Sequence, residues 1–198
     1  MTNMSRRSRF KWLTALTLLI CMLVLPGCGT KESMLSDGGQ QTVRAETGAK
    51  HAEKRQYTMQ DVRQLQNTGN FAKGALDHIF DGTINKKGKA TGYHYSMIGD
   101  SKGRILDGTR SKTDQNGIFT AKVEVSGVKK NGFSSFYPEN RSPQEIVDII
   151  NEAYLDAMDD PDNPHGELWI GYAGNLEINM YLNEKKKILT AYPIYRGE

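Results

Sequence analysis

Two histidines that lie sixteen residues apart, His78 and His94, are the side chains of this sequence best suited to proton transfer. An unperturbed imidazole has a pKa near 6.5, so at neutral pH one histidine of a pair can accept a proton while the other donates one. The sequence has only two further histidines, His51 and His165. If His78 and His94 share a cleft, they supply both a general acid and a general base.

Two histidines and a lysine together would suit the cleavage of RNA without a metal ion. A base removes the proton of the 2′-hydroxyl that attacks the phosphate, an acid protonates the departing 5′-oxygen, and a cation stabilises the phosphoryl oxygens. The sequence shows no carboxylate–histidine cluster typical of metal ligands, so we predict no metal and no other cofactor. Cys21 and Cys28 both lie near the N-terminus, which leaves the rest of the chain without a thiolate for zinc or for nucleophilic catalysis.

The first 27 residues have the pattern of a secretory signal peptide. Four basic residues precede an uncharged apolar run from 12 to 25, which is shorter than the roughly 20 residues of a membrane-spanning helix. The run ends in Leu-Pro-Gly-Cys, which resembles a bacterial lipobox with Cys28 as the lipidated residue. We therefore expect an exported lipoprotein, held at the cell membrane through Cys28, whose domain faces outside the cytoplasm. An uncleaved anchor and an ordinary signal peptide are the alternatives.

Composition divides the remaining chain into a tether at 28–56 and a globular domain at 57–198. The tether is rich in polar residues and has almost no large apolar ones, as in flexible linkers. The net charge of +3 comes from the signal peptide, which holds four of the 26 basic residues and leaves 22 against 23 acidic ones. A polycation that coats nucleic acid is therefore excluded, and contact with nucleic acid would need a local patch.

The pattern of the domain predicts an α+β fold, with N-terminal helices followed by antiparallel strands packed on a capped helix. Short helices are expected from Thr58 and over 71–80. The clearest helix is 143–158, with Ser142 as N-cap and Glu145 completing a capping box. The buried face expected for it consists of Ile146, Ile149, Ile150, Ala153, Tyr154 and Ala157. Strands are predicted at 116–125, 167–172, 175–182 and 188–195.

Several short motifs follow one another in a fixed order. His78-Ile79 precedes Gly82, and Gly92-x-His94 comes next. The later motifs are Asn-Gly-Ile-Phe-Thr-Ala-Lys-Val at 116–123, Ser-Phe-Tyr-Pro at 135–138 and Ile-Leu-Thr-Ala-Tyr-Pro at 188–193. The ordered set resembles the EndoU endoribonuclease family, which includes the coronavirus uridylate-specific endoribonuclease, and the resemblance spans residues 76–193. Many bacterial members have Gly-Gly-x-His, where this chain has Thr91 in place of the first glycine.

The resemblance implies roles for particular residues. His78 and His94 match the catalytic acid and base, with His94 as the base. Lys122 is our choice for the third catalytic residue, because on a strand it shares a face with Thr120 and not with the apolar residues; Lys129 and Lys130 are alternatives. The substrate-binding residues implied are Gly92, Thr190 and Tyr192.

The function implied is an endoribonuclease that cleaves single-stranded RNA at uridines and leaves a 2′,3′-cyclic phosphate and a 5′-hydroxyl. Loop lysines such as Lys86, Lys87 and Lys89 either follow the RNA or are simply solvated. One alternative is an EndoU-fold lipoprotein that binds a partner without catalysis. Another is a different hydrolase that uses His78 with Asp77 or Asp81. A toxin delivered to rival cells and a scavenger of extracellular RNA are both compatible with export, and an inhibitor protein is a conceivable partner.

Overall fold

A computed structural model of the chain describes residues 56–197. The predicted signal peptide, Cys28, His51 and nearly all of the predicted tether therefore lie outside the described residues. The described residues fall within one compact unit, Lys50–Glu198. Among them, no helix combines the length and the apolar character needed to cross a bilayer.

The first helices are short. Helix α1 covers Met59–Val62 and begins with the expected cap, in which Thr58 and Asp61 form a reciprocal capping box. A 3₁₀ turn at Thr68–Asn70 leads to α2, Ala75–Phe80. The predicted helix 71–80 is thus shorter by four residues at its start. The cause is Gly74, whose φ of 82° is left-handed and cannot continue a right-handed helix.

Helix α3, Pro143–Asp159, confirms the strongest prediction from the sequence. The Ser142 side chain accepts a hydrogen bond from the Glu145 backbone, and the Glu145 carboxylate accepts one from the Ser142 backbone at 2.7 Å. The apolar residues buried along α3 are Ile146, Val147, Ile150, Ala153 and Ala157. Ile149 and Tyr154 are only partly buried, and they pack at the edge of the same core.

Three antiparallel strands at the C-terminus form the largest sheet. They are β8 (Leu168–Ala173), β9 (Leu176–Leu182) and β10 (Ile188–Pro193), in the order β10-β9-β8. Helix α3 lies on β8, and Gly171 permits this close approach: a Cβ at that position would lie 1.8 Å from the carbonyl oxygen of Ala153. Side chains from α1, α2, α3 and this sheet form most of the first hydrophobic core.

Seven short strands lie between α2 and α3 in the chain. They are β1 (Thr83–Ile84), β2 (Ala90–Thr91), β3 (Gly103–Ile105), β4 (Phe119–Ala121), β5 (Val123–Val125), β6 (Val128–Lys129) and β7 (Ser134–Phe136). Strand β1 pairs with β2, β4 pairs with β7, and β5 lies between β3 and β6, all antiparallel. A second hydrophobic core forms around β4, β5 and β7.

The single strand predicted at 116–125 is wrong, because it is divided at Lys122 into β4 and β5. The backbone of Lys122 bonds to a loop instead of a strand: its carbonyl accepts from the Leu106 N–H at 2.9 Å, and its N–H donates to the Thr109 hydroxyl at 3.1 Å. The chain therefore passes from one small sheet into another at this residue. The α+β class is confirmed, since few helices combine with several antiparallel sheets.

Candidate active site

The two histidines line one cleft. Their ring centroids are 6.5 Å apart, with an angle of 48° between the ring planes. The cleft has a volume of about 570 Å³. It is lined by residues from both halves of the domain: His78, Thr91, Gly92, His94, Thr120, Lys130, Phe133, Ser135, Thr190, Tyr192, Pro193, Ile194 and Tyr195. A volume of this size lies within the range of sites for small ligands or one nucleotide unit.

Gly92 brings the second histidine to the first. Two backbone hydrogen bonds hold the segment after β2 against α2: Tyr93 N–H donates to the His78 carbonyl at 2.9 Å, and His94 N–H donates to the Ile79 carbonyl at 2.7 Å. Gly92 has a φ of +76°, and a Cβ there would lie 2.0 Å from the His78 carbonyl oxygen. Only glycine fits this approach, so Gly92 is needed to assemble the site as well as to line it.

His94 is buried and its ring is held in one orientation. Its Nδ1 lies 2.9 Å from the backbone carbonyl oxygen of Ser135. A carbonyl can only accept, so Nδ1 carries a hydrogen and Nε2 is the atom left to exchange a proton. Burial lowers the pKa of His94 to about 3, assisted by the positive charge of Lys130, and the Ser135 bond opposes the shift.

His78 lies in the last turn of α2 and is half-buried. Its Nδ1 lies 2.9 Å from the hydroxyl oxygen of Thr83. Burial lowers the pKa of His78 to about 4, and the Lys130 ammonium contributes in the same direction. Both rings are therefore neutral at pH 7 in the absence of a ligand, and an anion in the cleft would raise both pKa values.

Lys130 supplies the cation in the cleft. Its ammonium donates to the Gly92 carbonyl at 3.0 Å and to the Ser134 hydroxyl at 2.7 Å. An ammonium has three N–H groups, so one remains for a ligand. Burial lowers the pKa of Lys130 to about 8, which leaves it mostly charged at pH 7.

Lys122, our choice from the sequence, does not line the cleft. Its side chain is exposed, and its ammonium lies 5.7 Å from the centroid of the Phe133 ring. Lys129 is also exposed, on β6. Of the three candidate lysines, all of which the structure describes, the cleft contains Lys130. Lys122, chosen from the sequence, therefore lies beside Phe133 at the rim, whereas the alternative Lys130, which follows β6, lies within the cleft.

Thr190 and Tyr192 both reach the cleft from β10, as their spacing of two on a strand predicts. The Tyr192 ring stacks on the His94 ring, with centroids 5.5 Å apart and an angle of 21°. Across the pair of β9 and β10, Asn179 faces Tyr192 and Tyr181 faces Thr190. The Thr190 hydroxyl oxygen is buried and has no hydrogen-bond partner within the described residues.

Several residues of the site could not be assigned a role from the sequence. The Ser135 carbonyl orients His94, and the hydroxyls of Thr83 and Thr91 lie beside His78. Phe133, with 59% of its surface exposed, stands at the rim. Ser135 and Thr91 belong to motifs described above, which did not indicate these contacts, and the sequence signal for Phe133 is an aromatic residue directly after Asn131-Gly132. His165 is exposed, as expected of a loop histidine, and does not line the cleft.

The sequence profile of the bacterial EndoU nuclease family matches residues 72–195. The chain belongs to this family. The match covers the whole of the cleft, so the histidine pair, Lys130 and β10 are all parts of the EndoU domain.

A curated relative of the EndoU domain is a protein named Toxin from Bacillus cereus. It is 40% identical to this chain over 135 residues, which are 67% of this chain and 24% of the toxin. The chain thus spans about a quarter of the length of this relative. Within the described part of the EndoU domain, no group of three or more His, Cys, Asp or Glu side chains is placed to hold a metal ion.

Proposed function

We propose that this protein is an endoribonuclease that cleaves single-stranded RNA at uridines. The observation that carries the proposal is the meeting of two imidazoles and one ammonium, those of His78, His94 and Lys130, in one cleft. The reaction is an attack of the 2′-hydroxyl oxygen on the adjacent phosphorus. The bond to the 5′-oxygen breaks, and the products carry a 2′,3′-cyclic phosphate and a 5′-hydroxyl.

Each of the three groups has one task in this reaction. His94 accepts the 2′-hydroxyl proton at Nε2, since its Nδ1 is occupied by the Ser135 carbonyl. His78, whose ring centroid lies 6.5 Å from that of His94, donates a proton to the 5′-oxygen. The free N–H of Lys130 stabilises the charge on the phosphoryl oxygens, a contribution that grows as the transition state forms.

The substrate itself prepares His78 to act as an acid. The pKa of free His78 is about 4, so few molecules carry an imidazolium at pH 7. A phosphodiester brings a negative charge next to the ring and offsets the positive charge of Lys130, which raises the pKa of His78. The imidazolium therefore forms mainly when RNA is bound.

Uridine selection is assigned to Thr190 and its neighbours. Base stacking is tolerant of sequence, so a preference for one base must come from hydrogen bonds. The buried Thr190 hydroxyl can serve the uracil edge, and Tyr192 is held rigid by its stack on His94. At the rim, the exposed ring of Phe133 offers an aromatic face to a neighbouring nucleotide.

The test is cleavage of an oligoribonucleotide with a single uridine, in EDTA, by the full-length protein. The variants are His78→Ala, His94→Ala and Lys130→Met, and Lys122→Met is the matched control because its ammonium lies outside the cleft. Loss of a general acid or base costs about 10²–10⁴-fold in rate. We expect losses of that order for the three cleft variants and nearly full activity for Lys122→Met. Full activity in either histidine variant would overturn the mechanism.

A binding protein with the EndoU fold but without catalysis is the second candidate. The observation that favours it is Thr91. Its side chain lines the cleft at a position where many bacterial members have glycine. RNA that is retained by the protein but remains intact in the same assay would support this alternative.

We further propose that the protein is an exported lipoprotein anchored through Cys28 and that it acts as a toxin. The signal-like residues 1–27 support the first part, and the name of the Bacillus cereus relative supports the second. Incorporation of labelled palmitate, lost in Cys28→Ala, tests the anchor. Growth inhibition that is lost when His94 is substituted tests the toxin role. Relief of that inhibition by a co-purifying protein tests for an inhibitor.

A further inference from the structure

A chain of two hydroxyl groups, those of Thr83 and Thr91, begins at the Nδ1 atom of His78. The Nδ1 atom of His78 is 2.9 Å from the Thr83 hydroxyl oxygen. That oxygen is 3.1 Å from the Thr91 hydroxyl oxygen, which in turn donates to the Thr83 backbone carbonyl at 3.1 Å. The chain therefore begins at an imidazole and ends at a carbonyl, and it crosses the β1–β2 pair where Thr83 faces Thr91.

The direction of this chain follows from counting hydrogens. The terminal carbonyl has none, so the Thr91 hydroxyl hydrogen must be given to it. The bond between the two hydroxyls then requires the Thr83 hydrogen. Thr83 has no second hydroxyl hydrogen, so the bond to His78 requires a hydrogen on Nδ1. All three bonds exist together in one arrangement only.

We propose that Thr83 and Thr91 are positioning residues that keep the proton of neutral His78 on Nδ1, so that Nε2 is the atom that exchanges a proton with the substrate. The second clause rests on the proposed nuclease function, whereas the first concerns the free protein alone. Thr91 does this without touching the imidazole, because it acts on the ring through the Thr83 hydroxyl.

The tautomer with hydrogen on Nδ1 suits His78 both as an acid and as a base. As an imidazolium it has hydrogens on both nitrogens, and loss of the Nε2 proton to the 5′-oxygen leaves the Nδ1–H form that the threonines favour. As a base it starts from the same form and gains the proton at Nε2. A neutral ring with its hydrogen on Nε2 can do neither from that atom.

The two histidines are held in different ways, which provides an internal control. His94 donates its Nδ1 hydrogen to the Ser135 backbone carbonyl, an acceptor that side-chain substitution does not remove. His78 depends on two side-chain hydroxyls that can be changed one at a time. A substitution at Thr83 or Thr91 should therefore alter the tautomer of His78 and leave that of His94 as it is.

The test is nitrogen NMR of the full-length protein labelled with ¹⁵N-histidine, at neutral pH and without RNA. His78 is assigned by comparison with His78→Gln. We expect a pyrrole-type shift at Nδ1 of His78 and a pyridine-type shift at Nε2. In Thr83→Val and Thr91→Val we expect His78 to move toward the Nε2–H form, while the shifts of His94 stay constant. Thr91→Ser, which keeps the hydroxyl, should restore the parent spectrum.

Steady-state kinetics of RNA cleavage distinguish a residue that positions His78 from one that binds the substrate. For Thr91→Val we expect kcat to fall by about tenfold, less than the 10²–10⁴-fold cost of losing an acid or base, with KM unchanged. A hydrogen on Nε2 of His78 in the parent protein, or unchanged His78 shifts in both valine variants, would overturn the inference. Correct tautomers in a protein that does not cleave RNA would overturn the proposed function instead.

Discussion

The buried state of His94 should make the domain sensitive to mild acid. The pKa of His94 is about 3 in the folded protein, against 6.5 for the free side chain. Because the folded value is the lower one, only the unfolded chain binds the proton between these two pH values. The stabilisation is therefore complete above pH 6.5 and is lost as the pH falls toward 3. The loss is about 1.4 kcal/mol per pH unit, or about 2 kcal/mol between pH 6.5 and pH 5.

The measurement is urea unfolding of the parent, His94→Gln and His165→Gln at pH 6.5 and pH 5. Glutamine cannot titrate, and its amide can donate to the Ser135 carbonyl as the imidazole does. The parent should lose about 2 kcal/mol more than His94→Gln on acidification. His165 is exposed, so His165→Gln should follow the parent. An equal pH dependence in the parent and His94→Gln would refute the view that the folded domain keeps His94 neutral.

Three further substitutions test separate parts of the structure. Gly92→Ala places a Cβ 2.0 Å from the His78 carbonyl oxygen, so we expect cleavage to fall by more than about tenfold and the melting temperature to drop. Ser142→Ala removes the cap of α3 and should lower the free energy of unfolding by about 1 kcal/mol, measured in urea, with cleavage unchanged. Phe133→Ala should raise KM for a long oligonucleotide but not for a dinucleotide, because the exposed ring adds little to the core; equal KM values would exclude stacking at the rim.

The sequence predicted the helices and strands whose ends and buried faces are determined by residues close together in the chain. The cap at Ser142 and the apolar spacing along α3 sufficed to predict that helix, and the strands near the C-terminus were placed to within one or two residues. The break at Lys122 could not be predicted, since alternating residues continue through it. What ends β4 is a change of hydrogen-bond partner to the loop at Leu106 and Thr109, which only the folded chain brings close.

Contacts between distant parts of the chain also explain why the sequence favoured Lys122 over Lys130. Lys122 was selected by its strand face, and that face does lead toward the cleft, since Thr120 lines it. Lys130 follows a strand of two residues, too short to have a periodic signal. Its ammonium turns inward because the Gly92 carbonyl and the Ser134 hydroxyl accept its hydrogens. The positions of Gly92 and Ser134 in the sequence do not indicate that either residue would accept a hydrogen bond from Lys130.

The chemistry of the 2′-hydroxyl tests the central claim most directly. The substrate is an oligoribonucleotide with one uridine, compared with the same oligonucleotide carrying 2′-deoxyuridine at that position. The account predicts cleavage after the uridine, with a 2′,3′-cyclic phosphate and a 5′-hydroxyl at the new ends by mass spectrometry, and no cleavage of the deoxy substrate. Cleavage of both substrates at the same position would show that water, and not the 2′-hydroxyl, is the nucleophile, and would contradict the account.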